Sequence, residues 1–314
     1  MVWLIAAVGL IILLVAGDLL VRGAVNASLR FGLPALIVSL TVVAFGTSAP
    51  ELLISIQAVL EGAQGLAIGN AVGSNTANVL LVLGVPALVA TLRTAEFDTR
   101  KSYVSMVGAS FMFILLCFLG PLTFVHGLIL LIMLGLIIAD QVRAAIVHKR
   151  TAEPVDVEGA EPDSPLWKII LYISLGIIGL PLGAGLFVDA AIELAQMFGV
   201  SDGAIGLTLV ALGTSLPELA TTAVAAYRRQ ADVALGNVIG SNLFNILAIV
   251  GIATMFGPIA VPREFLTFDL WVMIGASLLL LPFVFTDTLN LTRRWGLLLT
   301  VLYVVYVVLV VRHG

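Results

Sequence analysis

Gly46-Thr47-Ser48-Ala49-Pro50-Glu51 occurs twice, the second time as Gly213-Thr214-Ser215-Leu216-Pro217-Glu218, 167 residues further on. The same offset carries Gly69-Asn70 onto Gly236-Asn237 and Gly73-Ser74-Asn75 onto Gly240-Ser241-Asn242. It also carries Asn78 onto Asn245 and Gly84 onto Gly251. Residues 42–84 and 209–251 align without a gap, with 18 identities in 43 positions. The retained residues are mostly Gly, Pro, Ser, Thr and Asn, with one Glu. A repeat kept for packing would retain its Leu and Val and let polar residues drift. This one retains its polar atoms, so it reads as a duplicated binding site.

The surroundings are those of a membrane protein. With 314 residues, 61% of them hydrophobic, 11% charged and a mean hydropathy of +1.16, a soluble domain is excluded. Apolar runs of about 20 residues, enough to cross a bilayer as helix, fill nearly the whole chain, and in lipid only helices or closed barrels satisfy the backbone. Ten spans are expected at 3–27, 34–60, 66–91, 101–119, 124–147, 167–195, 203–227, 233–257, 266–285 and 295–312. The segment His148–Pro165, charged, proline-bearing and without apolar periodicity, reads as a linker. The expected organisation is a first repeat at 1–147 (spans 1–5), a cytoplasmic linker at 148–165 and a second repeat at 166–314 (spans 6–10). The apolar N-terminus has no Lys or Arg before its hydrophobic run and reads as a first span rather than a cleavable leader. Cys117 is the sole cysteine, so an intrachain disulfide is impossible, and His126, His148 and His313 show no metal-ligand spacing.

Five spans per half is an odd number, so the second copy enters the membrane the other way up: an inverted-topology repeat. On that reading Arg22, Arg30, Arg93, Arg100, Lys101, Arg143, Lys149, Arg150, Lys168, Arg228, Arg229, Arg293 and Arg294 share one face. Only Arg263 and Arg312 lie on the other. The positive-inside rule makes the rich face cytoplasmic and puts both termini outside a plasma (inner) membrane. In such a chain the net charge of −4 says little about partners; no nucleic-acid partner is expected, and the expected partners are lipid and the transported ions.

Glu51 and Glu218 sit several turns inside spans 2 and 7, where an ionisable group costs a few kcal/mol and marks function. Pro50 and Pro217 withhold a backbone donor, and Gly46 and Gly213 loosen the same turn. Together they predict discontinuous helices 2 and 7, with freed carbonyls near the midplane. A kink for packing would account for Pro and Gly, but not for the adjoining Thr-Ser and Glu. On spans 3 and 8, Asn70, Ser74 and Asn78 and their counterparts Asn237, Ser241 and Asn245 recur every fourth residue, forming one helical stripe. The inventory is carboxylates, hydroxyls, amide oxygens and carbonyls, without His or Cys; oxygen-only ligands suit hard cations such as Ca²⁺. Asp18 and Arg22, four apart on span 1, are expected to pair.

At these motifs the chain resembles the cation/calcium antiporter superfamily, most closely its prokaryotic sodium/calcium exchangers. The resemblance implies that Glu51 and Glu218 are shared ligands for Ca²⁺ and Na⁺. It makes Thr47, Ser48, Thr214 and Ser215 ligands through hydroxyl or backbone oxygen, and Ala44 and Ala211 ligands through carbonyls. Ser74, Ser241, Asn78 and Asn245 complete the sites, and spans 1 and 6 slide against the other eight. One position departs: some relatives carry Asp where this chain has Asn245, leaving two formal carboxylates here and bearing on ion stoichiometry and potassium involvement. The expected activity is antiport of Ca²⁺ against Na⁺ by a single chain, with no cofactor. The alternative is proton-coupled Ca²⁺ antiport, since a desolvated carboxylate can titrate near neutrality. An intramembrane metalloenzyme would need ligands to activate water, and no His-Glu-x-x-His-like cluster occurs. A channel would place its filter on a multi-chain axis rather than duplicate it within one chain.

Overall fold

The computed structural model describes residues 2–96, 98–148, 164–197, 211–286 and 288–313, and these are helical throughout apart from short connections. The first half comprises α1 Val2–Phe31, α2 Ala35–Thr47, α3 Ala49–Leu60, α4 Gln64–Val89, α5 Arg100–Phe118 and α6 Phe124–His148. The second half comprises α7 Leu166–Met197, α8 Ala211–Thr214, α9 Leu216–Tyr227, α10 Ala231–Ala253, α11 Phe265–Phe285 and α12 Arg293–His313. Among the described residues eight helices are long and apolar enough to cross a bilayer, and the bent pair α2–α3 makes a ninth. The expected seventh span starts at 203, outside the described residues, and α8 and α9 are its described remainder; the expected linker lies almost wholly outside them too.

The motif helices form the centre. The apolar stretch of α10 is buried along its whole length and most of α4 with it, while α6, α7 and α12 turn most of theirs outward. Trp3, Ile11, Leu14, Ile132, Ile178 and Val304 are among the large apolar side chains on that outer surface, which suits contact with lipid tails rather than water. Outer helices also pack closely on one another where side chains are small. A Cβ on Gly9 would lie 2.7 Å from Phe187 N and one on Gly176 2.6 Å from Leu20 Cβ, so α1 and α7 run backbone against backbone.

The connections repeat as the sequence does. Leu92, after α4, exchanges two backbone hydrogen bonds of 3.0 Å with Leu291, before α12; Ile259, after α10, exchanges two of 2.8 Å with Leu122, before α6. Residue 259 is 167 beyond residue 92, so each half closes its central helix onto the last helix of the other. The same crossing appears in packing, with Gly84 against Thr300 and Gly251 against Leu131. Polar tethers gather the ends that carry basic residues. Arg30 Nη1 donates to Ser164 O at 3.0 Å, and Lys101 Nζ pairs with Asp140 Oδ2 at 2.7 Å. Arg22 Nε meets Asp18 Oδ2 at 2.8 Å, the pair expected from their spacing, and Arg228 also pairs with Asp18.

Candidate functional site

Both motif helices break at the serine. Ser48 leaves helical geometry (φ −85°, ψ 6°) and α2 meets α3 at 46°; Ser215 does the same (φ −87°, ψ 1°) between α8 and α9. Pro50 and Pro217 occupy the first turn of the following helix, where the missing N–H costs little. The prolines therefore start the second half-helix rather than kink a continuous one, and they withhold a donor from the carbonyls of Gly46 and Gly213. A Cβ on Gly46 would lie 2.6 Å from Ile177 Cγ1, and one on Gly213 2.7 Å from Val188 Cγ2, so α7 runs tightly past both breaks.

Glu51 and Glu218 fall in the first turns of α3 and α9, each 1% exposed, at helix ends that favour negative charge. The two carboxylates are close enough to interact electrostatically. Each half-helix is held by an asparagine of the next helix. Asn70 Nδ2 donates to Glu51 O at 3.0 Å and Ser55 Oγ at 2.9 Å; Asn237 Nδ2 donates to Glu218 O at 3.4 Å and Thr222 Oγ1 at 3.0 Å.

Thr47, Ser48 and Asn78 meet residues of the other half. Ser48 Oγ donates to Glu218 Oε1 at 3.0 Å. Thr47 Oγ1 lies 3.3 Å from Ala44 O, 3.4 Å from Asn237 Oδ1 and 3.5 Å from Ser241 Oγ. Asn78 Nδ2 donates to Asn242 Oδ1 at 3.0 Å. Asn78 and Asn245 lie where α4 and α10 widen into π-helical turns, Asn78–Val82 and Phe244–Ile249, a feature frequent at functional sites. Ser74 is buried one turn before Asn78. Ala211 and Thr214 open and close the short α8 as Ala44 and Thr47 bracket the turn before Ser48.

Buried polar atoms almost always find a partner, yet here several do not. Both oxygens of Glu51, Oε2 of Glu218, Oδ1 of Asn75 and of Asn78, Oγ of Ser215 and both amide atoms of Asn245 are buried without a hydrogen bond. All but the Asn245 Nδ2 are oxygens, the atom type that hard cations prefer.

The sequence matches the sodium/calcium exchanger protein family over residues 1–142 and 168–312. This chain belongs to the sodium/calcium exchanger family. Within the family it is 33% identical to sodium/calcium exchanger MaX1 of Methanosarcina acetivorans, covering 98% of this chain and 97% of that one. It is 26% identical to the Ca²⁺/H⁺ antiporter ChaA of Bacillus subtilis over 74% of this chain and 72% of the other. Its fold superposes on the sodium-calcium exchanger NCX_Mj, soaked with 10 mM Na⁺ and zero Ca²⁺, with a TM-score of 0.80, 31% identity and coverage of 98% and 99%. The chain is thus a multi-pass membrane protein of an ion-exchanger family. Sequence reasoning assigned no site role to Ser55, Thr222, Asn75, Asn242 or Met106. Ser55 and Thr222 were detectable as hydroxyls at the repeat offset. Met106, whose sulfur accepts from Asn242 Nδ2 at 3.6 Å, has no sequence signal.

Proposed function

We propose that this exchanger-family chain moves Ca²⁺ one way and Na⁺ the other by alternating access to one site near the bilayer midplane. Glu51 and Glu218 are its shared anionic ligands. Thr47, Ser48, Thr214, Ser215, Ser74, Ser241, Asn78 and Asn245, with the carbonyls of Ala44 and Ala211, complete the oxygen shell. The observation that carries this reading is the pair of buried carboxylates on repeat-related half-helices, with three of their four oxygens lacking a donor. A divalent ion between them is balanced in charge, and Ca²⁺ accepts six to eight oxygens in loose geometry. Ten spans in two inverted repeats, with basic ends cytoplasmic and both termini outside, follow from the span count and the charge asymmetry.

Proton-coupled Ca²⁺ antiport by the same two glutamates is the second reading, and the similarity to ChaA favours keeping it. Proteoliposomes separate the two. Na⁺-loaded vesicles in Na⁺-free medium should take up ⁴⁵Ca²⁺, and a proton gradient without sodium should drive none. Uptake driven by protons alone would transfer the assignment to the second reading.

A further inference from the structure

The site's copies have the same residues but not the same bonds. Ser48 Oγ donates to Glu218 at 3.0 Å, whereas the repeat-related donor Ser215 Oγ and acceptor Glu51 are both without a hydrogen bond. Asn78 Nδ2 donates to Asn242 Oδ1 at 3.0 Å, whereas Asn245 Nδ2 and Asn75 Oδ1, the repeat-related donor and acceptor, are again both unpartnered. Asn75 Nδ2 donates to Asn242 O at 3.1 Å, whereas Asn242 Nδ2 turns instead to Met106 Sδ at 3.6 Å, a weak acceptor. The Asn70 and Asn237 bonds are made in both halves, but in the Ser–Glu and Asn–Asn pairs that cross between the halves one member is made and the other open, and the open members lie in one set.

Two halves with one motif pattern and opposed orientation have two equivalent arrangements, related by exchanging the conformations of the halves. We propose that these hydrogen bonds form a two-position latch for access. In the state seen here Ser48 and Asn78 hold Glu218 and Asn242. When the accessible face changes, Ser215 takes Glu51 and Asn245 takes Asn75, and the first set opens. Asn75 and Asn242 are thereby positioning residues: whichever accepts the amide of its partner asparagine turns that partner's oxygen toward the ions. In the present state Glu51 offers two free oxygens and Glu218 one, so loading begins at Glu51, and from the other face it begins at Glu218. The inference rests on the alternating-access reading above.

A ligand lost from a shared site weakens binding from both faces. A latch bond lost from one state lowers only that state's population and raises the apparent half-saturation constant on its face. In right-side-out and everted vesicles, Ser48→Ala should change the ratio of the two faces' Ca²⁺ half-saturation constants about tenfold, the scale of one hydrogen bond to a charged group. Ser215→Ala should change it about tenfold in the opposite direction, and the double variant should return it to the wild-type ratio. Asn242→Leu and Asn75→Leu, which remove no proposed ligand, should show the same opposition. Equal shifts on both faces, or shifts of one sign from both members of a pair, would overturn the latch while leaving exchange intact. Absence of Na⁺-driven Ca²⁺ movement in the wild type would instead overturn the exchange reading and the latch with it.

Discussion

Neither carboxylate oxygen of Glu51 meets a donor, although the residue is 1% exposed. A charge so placed would need a counter-ion, and the charged neighbour it feels is another carboxylate, Glu218. On the proposed reading a cation between them would relieve their mutual repulsion, which ties burial to binding. Removing one charge leaves a divalent ion half-balanced. One unit-charge pair at 4 Å is worth about 4 kcal/mol at an effective dielectric of 20, so Glu51→Gln and Glu218→Gln should each lower Ca²⁺ exchange by at least about a hundredfold. The thermal unfolding midpoint in detergent should stay near that of the wild type. Near-normal exchange by either variant would make that glutamate structural. Both glutamates were legible in the sequence, because an acid this deep in an apolar run is costly unless a site uses it, and this acid recurs at a constant offset. Asn70 and Asn237 were legible as a stripe, but their task of bonding the Glu51 and Glu218 carbonyls depends on how neighbouring helices pack.

At the level of elements, α2 and α10 approach so closely that Gly236 and Gly240 leave no room for a Cβ of their own. A Cβ on Gly240 would lie 2.5 Å from Leu40 O and 2.7 Å from Ala44 Cβ, and one on Gly236 2.8 Å from Leu36 O. This contact sets the distance from Thr47 to Ser241 and Asn237, so packing and site geometry share one cause. Gly240→Ala should therefore push α10 off α2, lowering the unfolding midpoint and weakening exchange together, since overpacking a tight contact costs ~1–3 kcal/mol. Gly275→Ala, at a glycine with nothing within 4 Å of the added carbon, should leave both unchanged. A harmless Gly240→Ala would show that the helices have room to separate. The break in α2 was expected from Gly46 and Pro50, but its location at Ser48 was not. Proline settles readily in a first helical turn, so the irregular residue is the one that caps that turn.

On the scale of the whole molecule, the two crossed backbone bridges, Leu92 with Leu291 and Leu122 with Ile259, join the halves at repeat-related places, and an inverted repeat puts those places on opposite faces. On the proposed topology, in which the basic residues tethered near α1, α5 and α9 face the cytoplasm under the positive-inside rule, the Leu92 side would be the inner one. Cysteines introduced at Glu61 and Asp98, both exposed, in a Cys117→Ala background should label from opposite sides with a membrane-impermeant thiol reagent, Glu61→Cys from outside. Labelling of both from one side would sink the inverted arrangement.

The sequence by itself determined the helical membrane class and the duplication, and it pointed to the candidate site residues and to a break in each motif helix. These are local properties: span length, helical period, and polar side chains repeated at one offset. Asp18 with Arg22 was readable for the same reason, four residues apart on one helix. Arg228, which joins that pair from 210 residues away, was not, because its placement depends on how α9 ends beside α1. The asymmetry of the site is the clearest case. Two copies with the same letters predict the same bonds, but Ser48 reaches Glu218 across 170 residues while Ser215 and Glu51 stay apart. Only the packed chain makes that choice, because it depends on how helices 170 residues apart in sequence sit against one another.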